Sequence, residues 1–241
     1  MNKSVLITGA SGGIGQALCR HFAKAGYDII LHYFSSEEQA LSLKKELEES
    51  FTVSVTAVRA DLRSTDEIKL LSEKAGNIDV LINNAGMAYF SLFQSADENK
   101  IKELFDLNLM SAMSLTKEIL PSMISRHSGR IINISSMWGI SGASCEVHYS
   151  ASKAALIGFT RALAKEVGPS GITVNCIAPG FIDTKMNAHL DEESVREILE
   201  ATPMMRKGTG DDVAALALFL AGDEAGFITG QTVSVDGGIG I

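Results

Sequence analysis

Two side chains that could move a proton lie four residues apart, at Tyr149 and Lys153, in the segment YSASKAALIGF. Helical pitch places both side chains on one face of the helix that this segment predicts. A nearby ammonium favours the phenolate form, so we expect the pKa of Tyr149 to be lowered from about 10 towards the operating pH. A tyrosine tuned in this way is a workable general acid.

A glycine-rich segment, SVLITGASGGIG at residues 4–15, fits two chemical motifs at once. Gly9–Gly13 matches the G-x-S-x-G nucleophile elbow of hydrolases, whereas Gly9, Gly13 and Gly15 match a spaced variant of the loop that holds a dinucleotide pyrophosphate. A nucleophile elbow follows a central strand and precedes an acid and a histidine, but this motif follows the first predicted strand. Its position favours the dinucleotide site, with Gly9 in the tight turn, Gly13 at the close approach and Gly15 against the strand.

These residues need a scaffold, and short β-branched runs alternate with helix-period segments along the whole chain. The predicted strands are Val5–Thr8, Ile29–Tyr33, Val53–Val58, Val80–Asn83, Ile131–Ser135, Ile172–Ile177 and Thr232–Val235. The predicted helices include Ser36–Glu48, opened by a capping box of Ser35 and Glu38, and Ile101–Ile124. This alternation predicts one α/β domain over residues 1–241, a doubly wound Rossmann fold with a seven-stranded parallel sheet. The polar stretch Lys185–Gly210 is predicted to be a mobile segment that covers ligands.

Composition excludes several classes of protein. A length of 241 residues with 46% hydrophobic residues suits a single soluble domain, and a net charge of −8 argues against binding of nucleic acid. The apolar run Val5–Ile7 is too short for a signal peptide or a membrane span, so we expect a cytoplasmic protein. Cys19, Cys145 and Cys176 are widely spaced without a C-x-x-C pair, which predicts neither a disulfide framework nor a metal site.

Six short motifs occur in a fixed order. They are TGASGGIG at Thr8–Gly15, NNAG at Asn83–Gly86, Asn108 in DLNL, NISS ending at Ser136, YSASK at Tyr149–Lys153 and Pro179–Gly180. In this order the motifs resemble those of the short-chain dehydrogenase/reductase family, and the resemblance covers essentially the whole chain. It implies hydride transfer between a nicotinamide cofactor and a carbonyl carbon, with the protein supplying orientation and a proton.

The resemblance also implies a role for each of four side chains. Tyr149 is the proton donor, Ser136 polarises the substrate carbonyl, Lys153 holds the nicotinamide ribose, and Asn108 positions a water of a proton relay. Ser135 is the neighbouring alternative to Ser136. The spacing from Ser136 to Tyr149 matches the family, and alternation along the strand sends the two serine hydroxyls to opposite sides.

The same resemblance assigns the cofactor contacts. Asp61 and Leu62 bracket the adenine, Asn84 to Gly86 form the turn beneath it, and Thr184 contacts the carboxamide. The full predicted set is Gly9, Ser11, Gly12, Gly13, Ile14, Gly15, His32, Tyr33, Ser35, Ser36, Asp61, Leu62, Asn84, Ala85, Gly86, Tyr149, Lys153, Pro179, Gly180, Ile182 and Thr184.

The end of the second strand decides which dinucleotide is expected. NAD-specific relatives place an aspartate there, whereas this chain has Tyr33, so no carboxylate in residues 29–36 would repel a 2′-phosphate. His32, Ser35, Ser36 and the following helix N-terminus could receive that phosphate, and we expect NADPH. Gly12 departs from this pattern, because many NADP-preferring relatives carry arginine or lysine at that position.

Two substrates fit the resemblance. The segments GITVNCIAPGFIDTKM and ITGQTVSVDGG resemble 3-oxoacyl-acyl carrier protein reductases, although Ser170 stands where those enzymes commonly have an arginine. Residues 135–150, SSMWGISGASCEVHYS, resemble elongation factor P 5-aminopentanone reductases instead. Glu146, one turn from Tyr149, could pair with the ammonium of such a substrate, and Trp138 could line the site. The alternatives are a solvated loop charge at Glu146 and simple wall packing at Trp138.

Assembly and turnover are also expectations from the resemblance. Relatives are usually tetramers, so we expect a homotetramer that pairs the helix carrying Tyr149 and the long helix at Ile101–Ile124 with those of a neighbour. Some relatives bind the dinucleotide as sensors or scaffolds without turnover. The complete set of Asn108, Ser136, Tyr149 and Lys153 favours an enzyme.

Overall fold

The computed structural model describes residues 2–184 and 191–240, which form a seven-stranded, all-parallel sheet in the order β3-β2-β1-β4-β5-β6-β7. The strands are β1 (Ser4–Ile7), β2 (Asp28–Tyr33), β3 (Val55–Arg59), β4 (Val80–Asn83), β5 (Gly129–Ile134), β6 (Ile172–Pro179) and β7 (Thr232–Val235). The strand order changes direction between β1 and β4, the crevice where doubly wound folds bind ligands. The predicted fold class is confirmed, and only strand ends differ.

Helices cover both faces of this sheet. They are α1 (Gly13–Lys24), α2 (Glu37–Ser50), α3 (Thr65–Ala75), α4 (Glu98–Phe105), α5 (Ser111–Arg126), α6 (Trp138–Ser141), α7 (Val147–Val167), α8 (Glu192–Ala201) and α9 (Gly210–Ala221). Alternate strand residues enter two apolar cores, with Ile7 and Leu31 in one and Leu6 and Leu81 in the other. A sheet buried on both faces accounts for the nearly continuous apolar runs in the sequence.

The start of α2 differs from the prediction. The helix begins at Glu37 with Ser36 as its N-cap, and the Ser36 side chain makes no capping hydrogen bond. Glu38 is therefore the second residue of the helix, whereas a capping box needs a glutamate or glutamine at the third. The predicted capping box of Ser35 and Glu38 is wrong.

The long helix predicted at Ile101–Ile124 contains a wider turn. A π-helical segment, Asp106–Met110, joins α4 to α5 without a break in the helical path. Such π turns are rare and frequently occur at functional sites. Here the turn carries Asn108, whose side chain is only 1% exposed.

Parallel strands bring their carboxyl ends to one edge, and the predicted motifs follow β1, β4 and β5 there or end β6. The predicted mobile segment at 185–210 contains α8 and the start of α9, and its residues 185–190 lie outside the described residues. Across residues 2–184 and 191–240, no helix combines the length and apolar character needed to span a bilayer.

Candidate active site

The turn after β1 is joined by hydrogen bonds to the turn after β4. The Thr8 hydroxyl accepts from the backbone N–H groups of Asn84 and Ala85 at 2.9 and 3.0 Å. The Asn84 amide donates in return to the carbonyls of Thr8 and Gly9 at 2.8 and 3.2 Å. Two motifs that are 76 residues apart in the sequence therefore form one rigid edge of the crevice.

The glycine-rich turn is shaped to receive an anion. Gly9 adopts φ +62°, a conformation that glycine tolerates, and a Cβ at Gly15 would lie 2.3 Å from the Gly9 carbonyl oxygen. Gly12 and Gly13 are exposed at the start of α1, which has no side-chain cap and no acidic residue in its first turn. Free N–H groups at a helix N-terminus bind phosphate, so these residues fit a dinucleotide pyrophosphate.

The predicted contacts from β6 meet the same turn. A Cβ at Gly13 would lie 2.8 Å from Cγ2 of Thr184, and the Pro179 carbonyl accepts from Met137 N–H at 2.9 Å. Ile182 pairs with Gly208 in an isolated parallel bridge. The chain that leaves β6 thus lies across the start of α1 and beside the strand-end segment of Ser136.

Tyr149, Ser136 and Lys153 meet at the carboxyl end of β5. The Tyr149 and Ser136 hydroxyls are hydrogen-bonded, and Lys153 Nζ lies 5.8 Å from the centre of the Tyr149 ring. Lys153 Nζ donates to the Ile134 carbonyl at 2.9 Å, and a Cβ on Gly86 would come within 3.2 Å of it. The three predicted side chains therefore lie together at the edge of the sheet that carries the glycine-rich turn.

The expected pKa of Tyr149 is corrected by the structure. Burial raises the pKa of Tyr149 to about 12, the hydrogen bond from Ser136 opposes this, and the nearby charge of Glu146 adds to it. Burial also lowers the pKa of Lys153 to about 8. The charge of Lys153 favours the phenolate, but the removal of Tyr149 from water has the larger effect on its pKa. The phenol of this chain is thus a firmly protonated acid.

The two neighbouring serines have different surroundings. The Ser135 hydroxyl donates to the Lys153 carbonyl at 2.8 Å and so fixes β5 against α7. The Ser136 hydroxyl accepts from Trp138 N–H at 3.2 Å and donates to the Tyr149 hydroxyl. Ser136 is therefore the serine that faces Tyr149, and its action on a substrate carbonyl stays a prediction.

Asn108 is held by three hydrogen bonds. Its Oδ1 accepts from Met87 N–H at 2.8 Å, while its Nδ2 donates to the Met87 carbonyl at 2.9 Å and to Ser152 Oγ at 3.1 Å. Ser152 in turn donates to the Tyr149 carbonyl at 2.7 Å. Asn108 thus ties the chain after β4 to α7, and its proposed action on a water remains a prediction.

His32 does not face the expected phosphate. It is 2% exposed, its Nδ1 accepts from Gly9 N–H at 3.0 Å, and its Nε2 lies 3.0 Å from the Ala60 carbonyl. Burial lowers the pKa of His32 to about 4, so the ring is neutral and both nitrogens are engaged. The prediction that His32 receives a 2′-phosphate is wrong, because strand alternation turns its side chain into the protein.

A carboxylate lies close to Tyr33, at the carboxyl end of β2. The buried Tyr33 hydroxyl donates to Glu37 Oε1 at 3.2 Å. Residues 29–36 hold no carboxylate, but Glu37 in the first turn of α2 places one beside Tyr33. Ser35 is exposed beside this helix start and Ser36 is its N-cap.

The loop after β3 presents the predicted adenine-bracketing pair. Leu62 is buried, while Asp61 accepts hydrogen bonds from the Arg63 guanidinium at 2.9 and 2.8 Å. The hydrogen bond from Arg63 lowers the pKa of Asp61. Asp61 is therefore an ionised side chain in a fixed orientation.

At the mouth of the cleft, Glu146 is the N-cap of α7 but makes no side-chain cap hydrogen bond. Its charge contributes to the raised pKa of Tyr149, so the carboxylate lies near the phenol. Cys145 before it adopts φ +61°, unusual for a residue with a side chain. Trp138 begins the short helix α6 and is half-buried beside Ser136.

This arrangement of a phosphate-binding turn beside a tyrosine–serine–lysine cluster has known counterparts. A family model described as short chain dehydrogenase matches residues 3–195. The chain belongs to the short-chain dehydrogenase/reductase family. Members of this family are oxidoreductases that use nicotinamide dinucleotide cofactors.

Relatives within the family cover the chain from end to end. A Bacillus subtilis protein named uncharacterized oxidoreductase YmfI is 41% identical over 239 residues, 99% of each chain. The 3-oxoacyl-[acyl-carrier-protein] reductase FabG of Chlamydia muridarum is 39% identical, covering 99% of this chain and 98% of its own. The crystal structure of a 3-oxoacyl-[acyl-carrier protein] reductase from Brucella melitensis matches with a TM-score of 0.94 at 31% identity, covering 99% and 91% of the two chains.

The family motifs do not include several side chains that build this short-chain dehydrogenase/reductase site. Ser152 has no assigned role in the motif YSASK, yet its hydroxyl joins Asn108 to the backbone of Tyr149. Arg59 is the register partner of Tyr33 at the end of β3. Only strand register could have indicated Arg59, because it belongs to no motif.

Proposed function

We propose that this chain is an NADPH-dependent reductase that converts a ketone to a secondary alcohol. The observation that carries the proposal is the cluster of Tyr149, Ser136 and Lys153 beside an uncapped helix N-terminus. When bound, the nicotinamide supplies the hydride. Tyr149 donates a proton to the ketone oxygen, and Ser136 donates a hydrogen bond that orients the carbonyl.

Lys153 assists the proton transfer from Tyr149. One N–H of its ammonium group donates a hydrogen bond to the Ile134 carbonyl, and two N–H groups remain for other hydrogen bonds. Below pH about 8 the charge of Lys153 favours the phenolate that forms when Tyr149 has given up its proton. Lys153 therefore lowers the energy of proton transfer even though burial keeps Tyr149 protonated at rest.

One candidate substrate is a 3-oxoacyl group carried on acyl carrier protein. Its support is the printed activity of relatives that share 37–41% of their residues with this chain over nearly their whole length. The proton-transfer geometry suits any ketone that reaches Tyr149, including the 3-oxo group of such a thioester.

A second candidate is the 5-aminopentanone carried by elongation factor P, and Glu146 favours it. A carboxylate close enough to perturb Tyr149 lies within reach of the far end of a short substrate held there. It gives an ammonium a partner and gives an acyl chain none. Ser170, where carrier-protein reductases commonly have an arginine, points the same way.

A side-by-side assay tests both candidates. The purified chain is mixed with NADPH and either an acetoacetyl thioester of acyl carrier protein or elongation factor P bearing 5-aminopentanone, and the loss of NADPH absorbance is followed. A higher kcat/KM on one substrate identifies its class. No NADPH consumption with either substrate or with small ketones would contradict the enzyme proposal and favour a dinucleotide-binding sensor.

We also propose that the chain assembles as a homotetramer. Met110 and Met113 at the start of α5 and Val147 at the start of α7 are exposed apolar side chains, on the two helices through which relatives are expected to pair. Exposed apolar side chains on these helices support the proposal that the helices form an interface.

A further inference from the structure

Phe34, the first residue after β2, is flanked by two arginines. The guanidinium carbon of Arg59 lies 5.5 Å from the centre of the Phe34 ring, and that of Arg63 lies 5.3 Å from it. Guanidinium groups at this distance are attracted to the aromatic ring. Phe34 is 41% exposed, so two cations are held at the surface beside the carboxyl ends of β2 and β3.

The charges of these two arginines are not equivalent. Arg63 forms ion pairs with Asp61 at 2.8 Å and Glu103 at 2.5 Å, so its charge is compensated. No carboxylate among the described residues forms an ion pair with Arg59, which is exposed. The charge of Arg59 acts on Asp61 without an ion pair, so Arg59 is the less compensated of the two cations.

The position of Arg59 relates this charge to the dinucleotide. Arg59 is the parallel register partner of Tyr33, so the two side chains point to the same face of the sheet. Burial and Glu37 raise the pKa of Tyr33, and the charge of Arg59 opposes this rise, so the guanidinium lies near the phenol. Tyr33 occupies the position where an aspartate would bind ribose hydroxyls.

We propose that Arg59, held against Phe34, is the residue that selects the 2′-phosphate. The inference rests on the proposed preference for NADPH and replaces His32, whose buried ring is neutral. Many NADP-preferring relatives carry a cation in the glycine-rich turn, at the position of Gly12. In this chain Arg59 on β3 would supply that cation instead. A guanidinium binds a phosphate through two parallel N–H donors, and it also offsets the negative charge of Glu37.

Calorimetric binding of two nucleotides tests this role without turnover. Adenosine 2′,5′-bisphosphate and adenosine 5′-monophosphate differ only in the 2′-phosphate. Arg59→Gln should weaken bisphosphate binding at least about tenfold, as expected for loss of charge-assisted hydrogen bonds, and change monophosphate binding less than about twofold. Arg59→Lys, which keeps the charge and loses the planar fork, should retain part of the preference.

Arg63→Gln is the matched control, because Arg63 also lies over the Phe34 ring. Because Arg63 orients Asp61, its loss should weaken both nucleotides alike and leave their ratio unchanged. If Arg59→Gln leaves the ratio of the two dissociation constants unchanged, Arg59 does not select the 2′-phosphate. A wild type that still prefers the bisphosphate would then leave the NADPH proposal intact. A wild type that binds both nucleotides equally would overturn the NADPH proposal and this inference together. Thermal melting confirms that each variant is folded.

Discussion

Tyr149 is the residue on which the proposed chemistry depends most directly. Tyr149→Phe removes the proton donor but keeps the ring that packs beside Lys153. We expect kcat to fall by about 10²–10⁴-fold, the usual contribution of a positioned acid, with NADPH affinity nearly unchanged. Stopped-flow turnover and fluorescence titration measure the two quantities. Wild-type kcat in Tyr149→Phe would show that another group donates the proton.

Lys153 sets the expected pH dependence. Burial lowers its pKa from 10.5 to about 8, so its charge is lost as pH rises through about 8. We expect kcat/KM to decrease above that pH, while Tyr149 and Cys176, with pKa values raised to about 12 and about 11, stay protonated. Kinetics from pH 6 to 10 test this, and a flat profile would contradict it.

The same shift has the opposite sign for stability. Between pH about 8 and 10.5 the unfolded chain binds a proton at Lys153 that the folded chain does not. The contribution of Lys153 to the free energy of unfolding therefore rises with pH over the window in which activity declines. Urea denaturation across this range distinguishes loss of charge from loss of fold.

Glu146 separates the two proposed substrates. Glu146→Gln keeps the size of the side chain and removes its charge, so kcat/KM for the amino ketone should fall about ten- to hundredfold, the value of one charge-assisted hydrogen bond. A neutral ketone of similar length should change little. Parallel kinetics on both ketones and an acetoacetyl thioester decide the matter, and a uniform change on all three would mean that Glu146 acts through loop structure.

The sequence could predict which side chains meet but not their ionisation. Motif order brought Ser136, Tyr149 and Lys153 together because each motif ends a strand or begins a helix at one sheet edge. The pKa of Tyr149 could not be predicted, since it depends on burial by segments distant in sequence. His32 was misjudged for a related reason, because a titratable side chain on a strand faces either the ligand or the core.

At the scale of elements, His32 joins β2 to the turns after β1 and β3. We expect it to make the stability of the fold sensitive to acid. Its pKa is lowered from 6.5 to about 4 by burial, so its contribution to stability is complete above pH 6.5 and is lost as pH falls towards 4. The loss amounts to about 3 kcal/mol, the free-energy equivalent of the pKa shift.

His32→Asn tests this contribution. An asparagine carbonyl oxygen can replace Nδ1 as the acceptor of Gly9 N–H, and the amide does not titrate. We expect the variant to lose less unfolding free energy than the wild type between pH 6.5 and 4, measured by urea denaturation. Parallel pH curves for the two proteins would show that His32 does not titrate between the folded and unfolded states.

The elements themselves followed from patterning, whereas their exact ends did not. Continuous apolar runs predicted buried parallel strands because both faces of the sheet are covered. The capping box before α2 failed because local signals fix a helix start only to within one or two residues. The π turn at Asp106–Met110 leaves no signal in hydrophobic periodicity, since its flanking helices keep one apolar face.

For the whole molecule, exposed apolar side chains on α5 predict assembly. Met113 is 39% exposed, and Met113→Glu would introduce a charge into the proposed interface. We expect a smaller assembly by sedimentation velocity. Leu41→Glu on α2, where Leu41 is 48% exposed, is the control that should keep the wild-type size. An unchanged assembly in Met113→Glu would place the interface elsewhere.

The π turn between α4 and α5 makes the chain sensitive to length at one place. A segment of Asp106–Met110 holds one residue more than an α-helical turn needs. Loss of one residue here would let the segment close into an ordinary α-helical turn, which would change the direction of the side chains that the wide turn now presents. Asn108 would then leave Met87 and Ser152 together. Substitutions at the neighbouring positions change only local packing, so the number of residues here matters more to the site than their identity.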